Sequence, residues 1–138
     1  MRLQQRDSHE AAVSVLLFLV LLSGKPDSAA RILSAMPTQQ YFFKLIPPRP
    51  TFPHDMNDDE RHLMDEHERY FEEQFEAGRL LLYGPVFATS GSFGLAILEV
   101  YSEAEARQFG EADPSVRAGL NRFEIHPMRV SAARAKQP

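Results

Sequence analysis

Between Asn57 and Gly78 the apolar residues recur with the period of an α-helix, and this segment constrains the rest of the chain more than any other. At about 100° per residue, Leu63, Met64, Tyr70, Phe71 and Phe75 share one face, while Asp65, Glu66, Glu68, Arg69, Glu72, Glu73 and Glu76 take the other. A helix with one apolar stripe must bury that stripe against another element. Asn57 with Glu60 three residues later forms a capping pair that starts the helix, and Gly78 is placed to end it. His67 lies inside the stripe, one turn after Leu63 and one turn before Phe71. An imidazole there is half-desolvated, and a ring that changes protonation near neutrality suits a general base. The same placement suits a core-edge histidine that hydrogen-bonds a neighbour.

The flanking segments read as strands. Tyr41–Ile46 is aromatic and β-branched, and Pro47, Pro48, Arg49, Pro50 and Pro53 follow it in a stretch that no helix or central strand tolerates. Leu80–Val86 and Phe93–Tyr101 are joined by Ala88-Thr89-Ser90-Gly91-Ser92, which predicts an antiparallel hairpin. Ser102 with Glu105 predicts a second capping box and a helix through Phe109. Asp113-Pro114 opens a further short helical turn that stops near Gly119, and Phe123–Val130 is the last strand.

The order strand, helix, strand, strand, helix, strand predicts an α+β fold. Its economical form is a four-stranded antiparallel sheet with the helices on one face. Apolar residues occupy both parities of several strands, so the second face needs a cover. A second subunit is the natural one, which predicts a homodimer with sheets packed face to face.

Of the 138 residues none is cysteine, which excludes disulfides, thiolate catalysis and cysteine-based zinc sites. A net charge of −4 with no basic stripe argues against nucleic acid as a partner. Arg129, Arg134 and Lys136 read as a solvated tail. Residues 1–35 stand apart from the domain at 36–138, whose core spans about 40–130. The apolar run Val13–Leu22 is too short to span a bilayer. It suits the apolar region of a secretory signal, with Ser28-Ala29-Ala30 as a cleavage candidate, although Asp7 and Glu10 place negative charge where that signal is basic. Alternatively Met36 is the working start. The protein is then expected in the cytoplasm, with export through a signal as the other outcome.

Several pieces together resemble the YciI-like (YCII-related) family of dimeric α+β barrels, over roughly Gln40–Arg129. They are His67, the run Ala77-Gly78-Arg79-Leu80-Leu81-Leu82-Tyr83-Gly84-Pro85, the glycine-bearing hairpin, Ala112-Asp113-Pro114-Ser115-Val116-Arg117-Ala118-Gly119-Leu120, and Glu124-Ile125-His126-Pro127. The resemblance implies a ferredoxin-like βαββαβ topology and a His–Asp pair in a cleft near a dimer interface, mapped here to His67 and Asp113. It also implies lyase-type chemistry without a cofactor, since relatives of defined activity remove hydrogen chloride from chlorinated lactones. The segment Pro47–Met56 departs from the simplest relatives in length and proline content, and is expected to form a lid or altered pocket wall.

As a dyad, His67 and Asp113 would perform acid–base chemistry on a small carbonyl or lactone compound. As a helix cap, Asp113 would only start its turn. Arg117, one turn after Asp113, is a candidate for binding a substrate carboxylate, as is Arg49 in the proline-rich loop. Arg117 has a plainer reading as an ion-pair partner of Asp113 or a solvated surface residue. Tyr83 and Tyr70 are candidate hydroxyl donors to a pocket, or aromatic packing with the hydroxyl at the rim. Gly84-Pro85 is expected to set a bend or bulge. His54, Asp55 and His62 match no metal-ligand spacing. His126 has no acidic partner at close spacing and reads as structural. The alternatives to an isomerase, lyase or dehydrochlorinase-like enzyme are a non-catalytic ligand-binding module and an accessory dimerisation domain.

Overall fold

A computed structural model of the chain describes residues 30–32 and 35–134. The run Val13–Leu22, Ser28 and Ala29 of the cleavage candidate, and Lys136 lie outside the described residues. The chain divides into two compact units, Met1–Pro37 and Thr38–Pro138, and all elements described below belong to the second.

The elements are β1 (Gln39–Ile46), α1 (Asp58–Glu76), β2 (Leu80–Val86), β3 (Phe93–Val100), α2 (Glu103–Ala112), α3 (Pro114–Arg117) and β4 (Arg122–Met128). The strands form one sheet in the order β2-β3-β1-β4, with every neighbour antiparallel. This is the ferredoxin-like βαββαβ arrangement, in which the first strand sits inside the sheet between the third and the fourth.

Alternation along β1 decides which face is filled. Tyr41, Phe43 and Leu45 are buried, and their partners in β3 are Leu98, Ala96 and Gly94. On the other side Phe43 and Leu45 stand opposite Ile125 and Phe123 of β4. These side chains share one face with Phe71 of α1 and with Ala106 and Phe109 of α2, and together they make the core. Phe43 is its hub. Its ring lies 5.6 Å from Phe123 in a stacked pair, 5.3 Å from Phe109 edge-on and 5.8 Å from Phe71. Such aromatic pairs are worth about 0.5–1.5 kcal/mol each beyond the area they bury.

The opposite face carries Phe42, Ile97, Leu82 and Met128, with Leu82 and Met128 well exposed. Phe42 stacks on His126 there, and the Lys44 ammonium lies 4.9 Å from the Phe93 ring.

The ends of α1 follow the sequence signals. Asn57 caps the helix by accepting from Glu60 N, and the Glu60 carboxylate accepts from Asn57 N, a reciprocal capping box. Gly78 takes a φ of 76°, the left-handed conformation that ends the helix. The second cap differs from expectation. Ser102 does accept from Glu105 N, but the Glu105 carboxylate accepts from Tyr101 N rather than from the capping residue, so the reciprocal box is not closed. The irregularity in the β2–β3 pairing falls between Leu80 and Leu82, earlier than the Gly84-Pro85 bend that the sequence suggests. Phe75, placed by periodicity on the apolar stripe, is well exposed, with its ring 5.7 Å from Tyr83. It lies in the last turn of α1, beyond the buried Phe71.

The proline-rich connection between β1 and α1 is folded back and held by one guanidinium. Arg49 Nε donates to Asp55 Oδ1 at 2.9 Å, while Nη1 and Nη2 donate to the two oxygens of Glu60 at 2.7 and 2.8 Å. Thr51 Oγ1 also donates to Asp55, and Phe52 is buried beneath this knot with Arg49 over its ring. At the hairpin tip, Gly91 has a φ of 122° and lies so close to Pro50 that an added Cβ would meet its Cα at 3.3 Å. The proline-rich loop and the hairpin tip therefore support one another.

Among the described residues no helix is long and apolar enough to cross a membrane, and no group of three or more histidine and acidic side chains is placed to hold a metal ion.

Candidate active site

His67 and Asp113 meet although 46 residues separate them. His67 comes from the middle of α1, on the stripe that faces the sheet, and its ring packs 4.3 Å from Phe71 one turn later. Asp113 sits at the break between α2 and α3, where Pro114 forbids continuation of the first helix and opens the second. His67 Nδ1 lies 2.8 Å from Asp113 Oδ2, with side-chain exposures of 14% and 0%.

A carboxylate can only accept, so Nδ1 carries the hydrogen, and in the neutral ring the lone pair is on Nε2. The other Asp113 oxygen is also occupied, accepting from Ser115 N and Ser115 Oγ at 2.8 Å each. Three donors thus converge on one buried carboxylate, which fixes its orientation and that of the ring. Hydrogen bonds to a charged group are worth about 1.5–3 kcal/mol each, roughly twice a neutral one.

The chain of donors continues outward. Ser115 Oγ, having given its hydrogen to Asp113, accepts from Asn121 Nδ2 at 3.0 Å. The Asn121 amide also donates to Met64 Sδ at 3.2 Å. This uses the amide hydrogens and fixes which end of the side chain is oxygen. Asn121 Oδ1 is left buried and without a partner, among the described residues the one side-chain oxygen or nitrogen in that condition. An unpaired buried acceptor of this kind costs about 1–3 kcal/mol.

His67 and Asn121 both line a cavity of about 330 Å³. Its walls are chiefly apolar: Leu45, Met64 and Phe71 from the core side, Pro47, Phe52, Pro53 and Met56 from the proline-rich loop, and Tyr83, Gly84, Pro85, Phe87, Phe93, Gly94 and Leu95 from the hairpin. Arg61, Asp65 and Glu68 bring charge to it. The loop from Pro47 to Met56 is a wall of the cavity. Gly84 has open space where a side chain would stand, so the backbone there is accessible.

The other candidate residues are distributed differently. Tyr83 lines the cavity, its ring against Phe71 at 5.7 Å. Tyr70 does not line it, because its hydroxyl donates to the Phe109 carbonyl at 2.9 Å, tying α1 to α2. Burial, reinforced by the negative charge of Asp113, pushes its phenol up to about 12, so it remains a neutral donor. Arg117 is exposed and outside the cavity, and it does not pair with Asp113, whose oxygens are taken by His67 and Ser115. Arg49 is also outside it, its guanidinium committed to Asp55 and Glu60. That contact holds the Glu60 carboxyl down at about 2, Arg49 being the main cause and the Asn57 N–H the next. The Asp55 carboxyl is lowered by the same arginine and by Thr51.

Of the remaining histidines, His62 is exposed on the charged face with Glu66 at 3.6 Å. His126 does have an acidic neighbour, contrary to the sequence reading, since Glu124 two positions earlier on the same strand face lies 3.5 Å away. Sequence reasoning did not single out Ser115 or Asn121. The Asp-Pro-Ser order held a signal for the first, because a side chain capping the amide two residues on is the local habit of aspartate before a helix.

The family model of the YCII-related domain matches residues 17–129. The chain belongs to this family. The match begins upstream of the Gln40–Arg129 stretch whose motifs carry the resemblance and ends at the same residue. No curated protein matches the chain. Within the YCII-related domain, α1 supplies His67, the α2–α3 junction supplies Asp113, and the proline-rich loop and the β2–β3 hairpin supply most of the cavity wall.

Proposed function

We propose that this YCII-related protein is a small acid–base enzyme acting without a cofactor on a compact carbonyl or lactone compound, with His67 as general base and Asp113 as its positioning carboxylate. The observation that carries the reading is the 2.8 Å contact between His67 Nδ1 and a carboxylate that itself lies outside the cavity His67 lines. With Nδ1–H turned to Asp113, the Nε2 lone pair is the part of the ring left to a bound molecule. It takes a proton from a carbon next to the carbonyl, and the electron pair of that C–H bond passes into an enolate. In isomerisation the imidazolium returns the proton to another carbon. In elimination the enolate expels a leaving group such as chloride and the ring releases its proton to solvent. General-base help of this kind contributes about 10²–10⁴ in rate.

Exposed apolar side chains on the uncovered face of the sheet support a second element of the proposal. Leu82 and Met128 are exposed on the face opposite the helices, and a second copy of the chain, sheet against sheet, would cover them.

Proton abstraction can be tested before the physiological substrate is known. The protein is incubated in deuterium oxide with a panel of small lactones and cyclic ketones, and deuterium entry beside the carbonyl is followed by NMR. The proposal expects catalysed exchange for at least part of the panel and its loss in His67→Gln. Exchange that persists at the wild-type rate in that variant would remove His67 as base. Binding without exchange, with equal affinity in both proteins, would make the cavity a ligand-binding site alone.

A further inference from the structure

Resting on the reading of this cavity as a substrate site, we propose that Asn121 is its specificity residue. Its side-chain oxygen accepts a hydrogen bond from a hydroxyl or N–H group of the bound molecule. The substrate is then a small, neutral, mostly apolar compound that carries such a donor as well as the carbonyl handled by His67.

The hydrogen bonds that lead from Asn121 to Asp113 all run in one direction. His67 Nδ1 and Ser115 Oγ both donate to Asp113, and Asn121 Nδ2 donates to Ser115 Oγ at 3.0 Å. Every hydrogen along this chain points toward the carboxylate, so the amide of Asn121 cannot turn over without setting an oxygen against the Ser115 lone pairs. Its Oδ1 is therefore held away from the relay. The residue is 2% exposed, and that oxygen is buried with no partner. Buried acceptors are seldom left unpaired, and sites of function are among the places where such exceptions occur.

Asn121 also lines the same cavity as His67, so the hydrogen-bonded chain has a cavity-lining residue at each end. The position follows from the backbone. Gly119, with a φ of 76°, reverses the chain after α3, and Asn121 N donates to Ser115 O at 3.1 Å, drawing the side chain under the cavity floor. Met64 touches the same amide and lines the cavity. A methionine side chain is flexible enough to move aside for a ligand group that reaches the buried Asn121 oxygen. A neutral carbonyl oxygen favours a neutral donor over an ammonium group, whose desolvation it does not offset by itself.

Two probes of nearly equal shape separate the donor from the apolar remainder: para-cresol and para-fluorotoluene. Binding of each to the full chain is titrated by NMR, with the Asn121 side-chain carbonyl carbon as the local reporter. Both probes are expected to shift cavity resonances at Gly84, Gly94 and Met64, but only para-cresol moves the Asn121 carbonyl. In Asn121→Leu the preference for para-cresol over para-fluorotoluene falls about three- to tenfold, the worth of one neutral hydrogen bond. Because this is a ratio of ratios, the different hydration of the two probes cancels. If para-cresol enters the cavity while the Asn121 carbonyl stays still, the inference is overturned and the cavity reading survives. An unchanged preference in a folded Asn121→Leu variant overturns it equally, and if that variant does not fold, the wild-type carbonyl resonance decides alone. Exclusion of both probes from the wild-type cavity would strike the substrate site itself, and the inference with it.

Discussion

Replacing Asp113 by Asn tests whether the carboxylate sets the tautomer of His67. The substitution hardly changes shape, so it opens no cavity, but it converts one of two accepting atoms into a donor. Ser115 decides which one. Its backbone N–H donates to Asp113 Oδ1 at 2.8 Å and cannot rotate, so the asparagine oxygen must remain on that side. The new NH₂ then faces His67 Nδ1 in place of an oxygen 2.8 Å away. That nitrogen must now accept, and the ring hydrogen moves to Nε2, the position otherwise left to the cavity. Stability should fall by about 1–3 kcal/mol, as charge-assisted hydrogen bonds give way to neutral ones. Any base-catalysed exchange should fall on the order of 10²–10⁴, because a protonated Nε2 cannot take a proton. The decisive assay needs no substrate. Long-range proton–nitrogen NMR correlations distinguish the two neutral ring tautomers, recorded at a pH alkaline enough to show a single neutral form. Wild type should show hydrogen on Nδ1 and the variant hydrogen on Nε2. The reasoning is refuted if the wild-type ring carries its hydrogen on Nε2, or if Asp113→Asn leaves the tautomer unchanged.

Other consequences can be checked on the purified chain. Glu60 is held at about 2 by Arg49, below its ordinary 4.5, so its contribution to stability is complete above that ordinary value and disappears as pH falls through about 2. Denaturation midpoints measured from neutrality to strong acid should show this loss in wild type and a shallower acid dependence in Glu60→Gln. In Gly110→Ala the new methyl would meet ring atoms of Phe123 at 2.6 Å. The overpacking, about 1–3 kcal/mol, outweighs a helix-propensity gain of at most about 1 kcal/mol, so the thermal midpoint should drop. A higher midpoint would show that the Phe123 ring gives way freely. The proposed sheet-to-sheet dimer expects wild type to sediment as a dimer and Leu82→Lys, which places a charge on the exposed sheet face, to sediment as a monomer at the same concentration; a monomeric wild type would overturn it.

Much of the fold was legible because its signals are local. The stripe through Leu63, Met64 and Phe71 and the alternation of Tyr41, Phe43 and Leu45 each express one period of one element. The Asn57–Glu60 box needed only four consecutive residues. The site was less legible, because the contacts that define it cross the chain. Periodicity placed His67 on the sheet-facing side of its helix but named no partner for it, and Asp113 entered through the resemblance of its surrounding segment. Arg117 looked suitable by spacing alone, yet α3 has only four residues, and its far end points to solvent rather than along the Asp113 carboxylate. Tyr70 was drawn instead to a backbone carbonyl on a neighbouring helix. Asn121 carried no local mark, since its part depends on a turn at Gly119 and on a serine six residues earlier. The end of α1 shows the limit of periodicity too, for Phe75 keeps the phase of the stripe after the core has ended.

The grip of Arg49 on Asp55 and Glu60 separates two tasks within one hollow. The side that carries His67 and Asp113 is built from the middle of α1 and the α2–α3 junction. The facing side hangs from a single cation fastened to the first turn of the helix. With Arg49, Asp55, Glu60, the buried Phe52 and the Asn57 cap kept, the exposed positions of the loop can vary without disturbing the histidine two turns further along. A scaffold divided in this way lends itself to grafting, with a fixed hydrogen-bonded pair on one bank and a variable fitting on the other.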